Sequence, residues 1–422
     1  MARRHRVVVI GAGFGGLAVV KGLRHEPVDV VLVDAHNFHT FQPLLYQVAT
    51  AGLDVDDVAY AIRGIFRRQR NVEVRMARVT SIDAEARTVH TDVGAPLSYD
   101  TLVVAAGAVT TSFGVPGVDE HAFALKSVAD AVALRHHVLA RFEAASTEPA
   151  LVDTGALDVV ICGGGPTGVE MAGGLMELFT KVLAKDFPQL DVRRARVVLV
   201  EAGDRLLNGF SEASGERARR TLSRVGVEAV TGTGVAEVQP TEVVLTDGRR
   251  IAAHTMVWAA GVRAHPLAAS VGVALGRGGR IVVAPDLSVP ERPEVFAIGD
   301  IAIDPDAPLP QVAQPAIQGG HHVARQIGHR LAGRPTEPFR YTDKGSMATI
   351  GRHQAVVDFP DGRHLDGPIG WVAWLGLHLV YLMGFRNRAN VLVNWAWNYL
   401  TYDRGARILT DAAPERATGG GG

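Results

Sequence analysis

Two short segments concentrate glycine beside groups that could do chemistry: Val7-Val-Val-Ile-Gly-Ala-Gly-Phe-Gly-Gly16 and Val159-Val-Ile-Cys-Gly-Gly-Gly-Pro-Thr-Gly168. Each follows an apolar run that reads as a buried parallel strand and opens a helix-compatible stretch. In such a fingerprint the first glycine (Gly11 or Gly163) allows a tight turn. The second (Gly13 or Gly165) lets backbone approach a pyrophosphate, and the third (Gly16 or Gly168) lets helix and strand pack closely. Phe14 and Gly15, and Pro166 and Thr167, occupy the remaining positions. The start of the helix offers free N–H groups and a positive dipole to phosphates. Each segment also leads to a strand ending in an acid, Val28–Asp34 and Val197–Glu201, and a carboxylate there accepts hydrogen bonds from an adenine ribose. Asp34 lies 18 residues past Gly16, while Glu201 lies 33 past Gly168 because residues 181–196 extend the helix and its loop. The pattern predicts two dinucleotide sites.

A second pair of echoes makes these segments landmarks of an internal repeat. Val103-Val-Ala-Ala-Gly107 is matched by Val257-Trp-Ala-Ala-Gly261 at an offset of 154, against 152 between Gly11 and Gly163. Ahead of each lies an Asp turn, Thr91-Asp-Val-Gly94 and Thr246-Asp-Gly-Arg249, in an alternating stretch that reads as a hairpin feeding a buried strand. The elements that must position the site residues are therefore two similar α/β modules.

Two nicotinamides side by side would make little chemical sense, whereas a flavin and a nicotinamide pass hydride directly. Glu201 repels a 2′-phosphate and so favours NADH over NADPH in the second module, with Arg205 nearby acting against it. Two features assign the flavin to the first module. Asp34 and Asp92 are 58 residues apart, but Glu201 and Asp247 only 46. The extra length falls around Phe41-Gln-Pro-Leu-Leu-Tyr-Gln-Val-Ala-Thr-Ala-Gly52, an apolar loop suited to covering a planar ring. Val295-Phe-Ala-Ile-Gly-Asp300 then returns after the second module as another strand ending in an acid. Its Gly299-Asp300 turn would bring a carboxylate to the ribityl or pyrophosphate region; the plainer reading is a surface turn.

Four pieces are more specific: Phe41-Gln-Pro-Leu-Leu-Tyr-Gln-Val-Ala-Thr50, Gly163-Gly-Gly-Pro-Thr-Gly-Val-Glu-Met-Ala172, Ala313-Gln-Pro-Ala-Ile-Gln318 and Lys344-Gly-Ser-Met-Ala-Thr-Ile-Gly-Arg352. With them the chain, over nearly its whole length, resembles the type II (alternative, single-subunit) NADH:quinone oxidoreductases of the two-dinucleotide-binding-domain flavoprotein superfamily. The resemblance implies an α/β fold of two Rossmann-like, glutathione-reductase-type domains, the NADH domain inserted in the FAD domain, plus an amphipathic membrane-associating C-terminal segment. The corresponding boundaries are residues 1–115 and 266–340 for FAD, 116–265 for NADH, and 341–422 for the C-terminal region with a disordered tail.

By the same resemblance, non-covalent FAD is held by Gly11, Gly13, Gly16, Asp34 and Asp300, with Ala106 and Gly107 beside it. Phe14, Gly15, Gln42, Pro43, Gly299 and Ala316 complete that set. NADH is held by Gly163, Gly165, Gly168 and Glu201, with Pro166, Thr167, Ala260 and Gly261. Glu170 would contact nicotinamide or deliver a proton near the flavin; its alternative is an ordinary helix-start carboxylate favoured by the dipole. Gln314 and Gln318 would line a quinone pocket, or else serve as capping glutamines of a segment bounded by Gly319 and Gly320. The implied reaction is hydride transfer from NADH to FAD and passage of two electrons to a membrane quinone, menaquinone or ubiquinone, without proton pumping. The implied setting is a homodimer, peripheral on the cytoplasmic face of the cell membrane.

Four of the five tryptophans fall between residues 371 and 397, and residues 369–385 carry no formal charge. A spanning helix needs about 20 predominantly apolar residues, so the stretch is marginal as a span. Trp371, Trp374, Leu375, His378, Leu382 and Phe385 fall at helical spacings, and Arg386, Arg388, Trp395, Trp397 and Tyr399 follow. The pattern reads as a helix in the membrane surface, against a C-terminal helix packed on the core or in a dimer interface.

Composition excludes several other classes. The 43 Lys+Arg against 44 Asp+Glu leave a net charge of −1, so a generalised nucleic-acid binder is not expected. Cys162 is the single cysteine, which rules out an intramolecular disulfide or a Cys-x-x-Cys pair, and it reads as a packed thiol. The 16 histidines form no metal-ligand pattern, so no metal is expected, and His136-His137 and His321-His322 read as helix-surface pairs. Arg3, Arg4 and Arg6 before Val7 superficially look like a signal peptide, but the glycines interrupt the run and the chain reads as unexported. Two competing functions remain: a soluble NADH-dependent ferredoxin or rubredoxin reductase, and a redox-sensing flavoprotein of the apoptosis-inducing-factor type.

Overall fold

The computed structural model describes residues 3–401 and 405–409. They fall into two compact units. Of the described residues, the first comprises 3–40, 60–109 and 262–343; the second comprises 41–59, 110–261, 344–401 and 405–409.

The first unit is built on a six-stranded sheet in the order Ser288–Val289, Arg292–Ala297, Thr101–Val104, His5–Ile10, Val28–Asp34, Val72–Met76. All neighbours are parallel except the first pair. Val7, Val8 and Val9 are wholly buried, as a central parallel strand covered on both faces requires. In register, Val7 stands opposite Val30 on one side and Thr101 on the other, which brings the turn after Ile10 to the same edge as Asp34. The fingerprint helix Phe14–Gly22 packs on the helix Ala313–Leu331. Small residues make this close approach: a Cβ at Gly22 would press on Ala324, and one at Gly320 would strike the Gly15 carbonyl. Two helix starts therefore converge where the sheet delivers its acid.

The second unit repeats the plan. Its five-stranded parallel sheet runs Phe123–Ala124, Thr255–Trp258, Val159–Cys162, Val197–Glu201, Val227–Thr231. Each unit carries a three-stranded antiparallel sheet where a hairpin was expected. These are Val79–Asp83, Thr88–Thr91 and Leu97–Ser98 in one, and Val235–Gln239, Glu242–Leu245 and Arg250–Ala252 in the other. The longer spacing to Glu201 is also visible: the helix Pro166–Glu177 widens into a π turn, Leu178–Leu183, before the chain returns. A final antiparallel sheet, Ser346–Thr349, Ala355–Asp358 and His364–Asp366, leads into the helices Gly367–Tyr381 and Phe385–Thr401. The apolar segment from Phe41, read from the sequence as an insertion of the first module, groups with this second unit.

Two expectations are corrected, and one pair of echoes proves unlike in detail. His136 and His322 are buried, while His321 alone of the two pairs is exposed. Phe339 packs on the His322 ring at 5.3 Å, and burial lowers the pKa of both buried rings. The two Ala-Ala-Gly turns also differ: Gly107 has φ of +71°, whereas Gly261 lies outside that region, its α-carbon facing the Phe113 ring. Finally, the aromatic stripe at the C-terminus points inward. Trp374 is 1% exposed and His378 9%, and their rings stack at 4.1 Å. The exposed side of that helix is aliphatic instead, with Ile369, Val372, Leu377 and Val380. The side chains of Phe385, Arg386 and Tyr399 and the residues from Thr410 onward lie outside the described ones.

Candidate functional site

Each fingerprint is shaped by the same collisions. Gly11 and Gly163 have φ of +97° and +112°, and a Cβ on either would run into the carbonyl of Ala105 or Ala259. A Cβ on Gly16 or Gly168 would strike the carbonyl of that first glycine. The second glycines behave differently: nothing stands within 4 Å of a Cβ placed on Gly13 or Gly165. Open space above a helix start is what a pyrophosphate needs, so the residues present fit a dinucleotide in both units.

The acids grip these loops alike. In the first unit Asp34 Oδ2 accepts the Ala12 N–H at 2.6 Å and Oδ1 accepts the His36 N–H at 2.8 Å. In the second, Glu201 Oε2 accepts the Gly164 N–H at 2.6 Å and Oε1 accepts the Gly203 N–H at 2.7 Å. Each carboxylate keeps lone pairs beyond these two bonds, because an ionised carboxylate offers about four acceptor sites. The carbonyls of Ala12 and Gly164 are held as well, by the His39 ring at 2.9 Å and by the Leu207 N–H at 2.8 Å. Neither His39 nor Leu207 has a spacing rule that would single it out from sequence.

The other expected flavin contacts of the first unit gather around the same loop. Ala106 adjoins Gly11, and Ala316 at the start of its helix faces Gly15 and Gly299. Gly299 has φ of +72°, and the Asp300 carbonyl accepts the Gln311 side-chain amide at 2.9 Å. Gln314 is half-buried at the same helix start. The Gln318 amide is engaged twice by the backbone of one residue: its Nε2 donates to Thr342 O at 2.9 Å, and its Oε1 accepts the Thr342 N–H at 3.0 Å. Gln42 is exposed and Pro43 half-buried, in the short turn Gln42–Leu44 that groups with the second unit.

In the second unit Pro166 and Thr167 lie exposed at the helix start, with Ala260 beside Gly163. One turn further along, Glu170 is buried, and Thr349 donates its N–H to Oε1 at 3.2 Å. Burial pushes the Glu170 carboxyl up to about 8, with the Thr349 N–H and the Trp374 indole opposing the rise. Burial thus favours the protonated acid over the ionised carboxylate that an exposed helix start would carry. Thr349 and Trp374 also line a small cavity with Tyr46, Gln47, Thr50, Gly174, Glu177, Arg352, Trp371 and Trp395. Trp395 Nε1 donates to Gln47 Oε1 at 2.8 Å, and Gln47 Nε2 donates to the Tyr46 hydroxyl at 2.9 Å. His378 is held neutral: it hydrogen-bonds the Trp374 carbonyl at 2.7 Å, and burial lowers its pKa to about 4. Cys162 is buried with its pKa raised to about 12, which makes it an inert packed thiol. Among the described residues no group of three or more His, Cys, Asp or Glu could hold a metal ion.

Residues 5–320 match the pyridine nucleotide-disulphide oxidoreductase family, and residues 344–402 match the NDH2 C-terminal domain. A type II NADH:quinone oxidoreductase of Mycobacterium tuberculosis is 41% identical, over 97% of this chain and 91% of that protein. One from Staphylococcus aureus is 34% identical over 87% and 91%. Among solved structures, NDH2 from Plasmodium falciparum in complex with NADH superposes with a TM-score of 0.88 at 19% identity, covering 97% of this chain and all of that one. The sulfide:quinone oxidoreductase of Aquifex aeolicus shares the fold less closely, with a TM-score of 0.73 at 19% identity over 94% and 95%.

Proposed function

We propose a division of labour that proceeds from one premise: the chain belongs to the type II NADH:quinone oxidoreductases, within the pyridine nucleotide-disulphide oxidoreductase family. It is an FAD flavoenzyme that oxidises NADH and reduces a quinone without pumping protons. In this reading the first unit holds FAD and the second holds NADH. When bound, the flavin supplies the two-electron acceptor that takes hydride and returns electrons to quinone.

The chain's own residues bind, orient and move protons. Asp34 and Glu201 each keep acceptor capacity for a ribose diol after fixing their loops. Gly13 and Gly165 leave room for the pyrophosphates, and Gln314 lines the quinone side of the flavin site with Gln318 bracing the backbone on both sides of Thr342. Glu170 delivers one of the two protons that quinone takes up with its two electrons, since burial keeps it protonated near neutral pH.

The same reading puts the protein on the surface of a lipid bilayer, on the cytoplasmic face, as a homodimer. Support for the surface comes from the aliphatic side of Gly367–Tyr381 and from exposed Leu392, Val393 and Trp397 on the last helix. No helix among the described residues is long and apolar enough to cross a membrane.

The observation that carries the assignment is the doubled fingerprint with its matched carboxylate grip. Purified protein should show flavin absorbance and oxidise NADH faster when a menaquinone or ubiquinone analogue is added. NADH consumption indifferent to every quinone would sink the reading in favour of a ferredoxin-type reductase or a redox sensor.

A further inference from the structure

The two fingerprints restrain the same peptide by different chemistry. In the second unit the Gly164 carbonyl is held by a backbone donor, Leu207 N–H. In the first, the Ala12 carbonyl is held by a side chain, the Nδ1 of His39 on the short strand Phe38–Thr40. A carbonyl only accepts, so the ring must carry its proton on Nδ1 and leave Nε2 bare. Nε2 is buried with no hydrogen-bond partner, and burial lowers the pKa of the ring, which keeps it neutral.

We propose that His39 is a positioning residue of the FAD site, clamping the Ala12 carbonyl so that the next amide faces the pyrophosphate. A trans peptide directs its C=O and N–H to opposite sides. With the Ala12 oxygen turned toward His39, the Gly13 N–H points away from it, on the loop where an added Cβ meets nothing. Asp34 fixes the preceding amide at the same time, so both faces of Ala12 are tied.

Packing does not explain the histidine. His39 is 2% exposed, with Phe14 meeting its ring edge-on at 5.1 Å. Leucine or phenylalanine would suit such an apolar setting without stranding a buried nitrogen, which is costly in itself. The single polar bond made by the ring is the clamp. Because Nε2 is enclosed while the dinucleotide cleft stands open, His39 acts through Ala12 and does not touch the cofactor.

The inference rests on FAD occupying the first unit. Its test uses full-chain protein stripped of flavin and titrated with FAD and, separately, with NADH. His39→Leu should weaken FAD roughly five- to tenfold, the scale of one neutral hydrogen bond with its buried carbonyl left bare. His39→Asn, whose amide N–H replaces Nδ1–H, should come back to within about twofold of the unsubstituted protein. His39→Gln keeps the bulk but moves the donor to the Nε2 position, and should bind FAD as weakly as His39→Leu. NADH affinity should be unchanged in all three, because Leu207 restrains the other loop. FAD affinity untouched in the Leu and Gln variants overturns the clamp, as does an Asn variant no better than Gln. Weakened NADH with FAD spared would instead overturn the assignment of FAD to this unit.

Discussion

Glu170 shows how burial changes the meaning of a residue. On sequence alone a glutamate one turn into a helix is a favourable dipole partner. In the fold it lies under Thr349 and Trp374, and desolvation raises its pKa to about 8 from an ordinary 4.5. Folding therefore holds a proton that the unfolded chain releases, so the contribution of Glu170 to stability is fully present below about pH 4.5 and is lost as pH rises through 8. Glu170→Gln should remove that loss, giving a melting temperature at pH 9 above that of the unsubstituted protein but little changed at pH 5. The same substitution should slow quinone-dependent turnover roughly 100-fold and abolish a decline in rate centred near pH 8. A variant with an unchanged pH–rate profile would remove Glu170 from the proton path.

At the scale of elements, the C-terminal helices divide their surfaces sharply. Trp374 and His378 pack inward, while Asn387, Asn394 and Trp395 on the next helix dock onto residues 41–59. Asn387 Nδ2 reaches Asp56 O at 3.0 Å, and Asn394 Nδ2 reaches the buried Asp57 at 2.9 Å. Removing these helices would strip the cover from Glu170 as well as any lipid contact, so truncation tests two things at once. Surface charges separate them. Val372→Asp with Val380→Asp changes residues that are 61% and 65% exposed, so folding and flavin content should persist. Co-flotation with anionic vesicles should fall several-fold; flotation that survives both charges would point to another surface. Trp374→Ala, in contrast, should cost about 3–5 kcal/mol of stability, as expected for a buried aromatic, read by denaturant unfolding.

Across the whole molecule, the repeat makes each unit a control for the other. Asp34→Ala should weaken FAD by roughly 10- to 100-fold, the scale of hydrogen bonds to a charged group, and leave NADH affinity intact. Glu201→Ala should do the reverse, and should also erode discrimination against NADPH because the charge facing a 2′-phosphate is gone. Calorimetric titration of each variant with each ligand checks both. Coupled losses in either variant would mean that the units do not bind independently.

The local signals were legible without coordinates because they are local. Gly16 and Gly168 follow from collisions with the Gly11 and Gly163 carbonyls inside one strand-to-helix turn, Gly11 and Gly163 from their spacing even though the carbonyls they clear belong to the distant Ala105 and Ala259, and Asp34 and Glu201 from strand length. Periodicity also found the C-terminal helix, but not which side of it met the protein. Six aromatic and apolar residues at helical spacing look the same whether they face lipid or a core; packing against Tyr46 and Trp395 decided that Trp374 goes inward. His136 and His322 were misread for the same reason, since a helix carries no mark of which side a distant element will cover. His39 and Thr349 lay beyond reach altogether. Their partners, Ala12 and Glu170, are 27 and 179 residues away, and only the tertiary fold brings a donor that far along the chain to one carbonyl or one carboxylate.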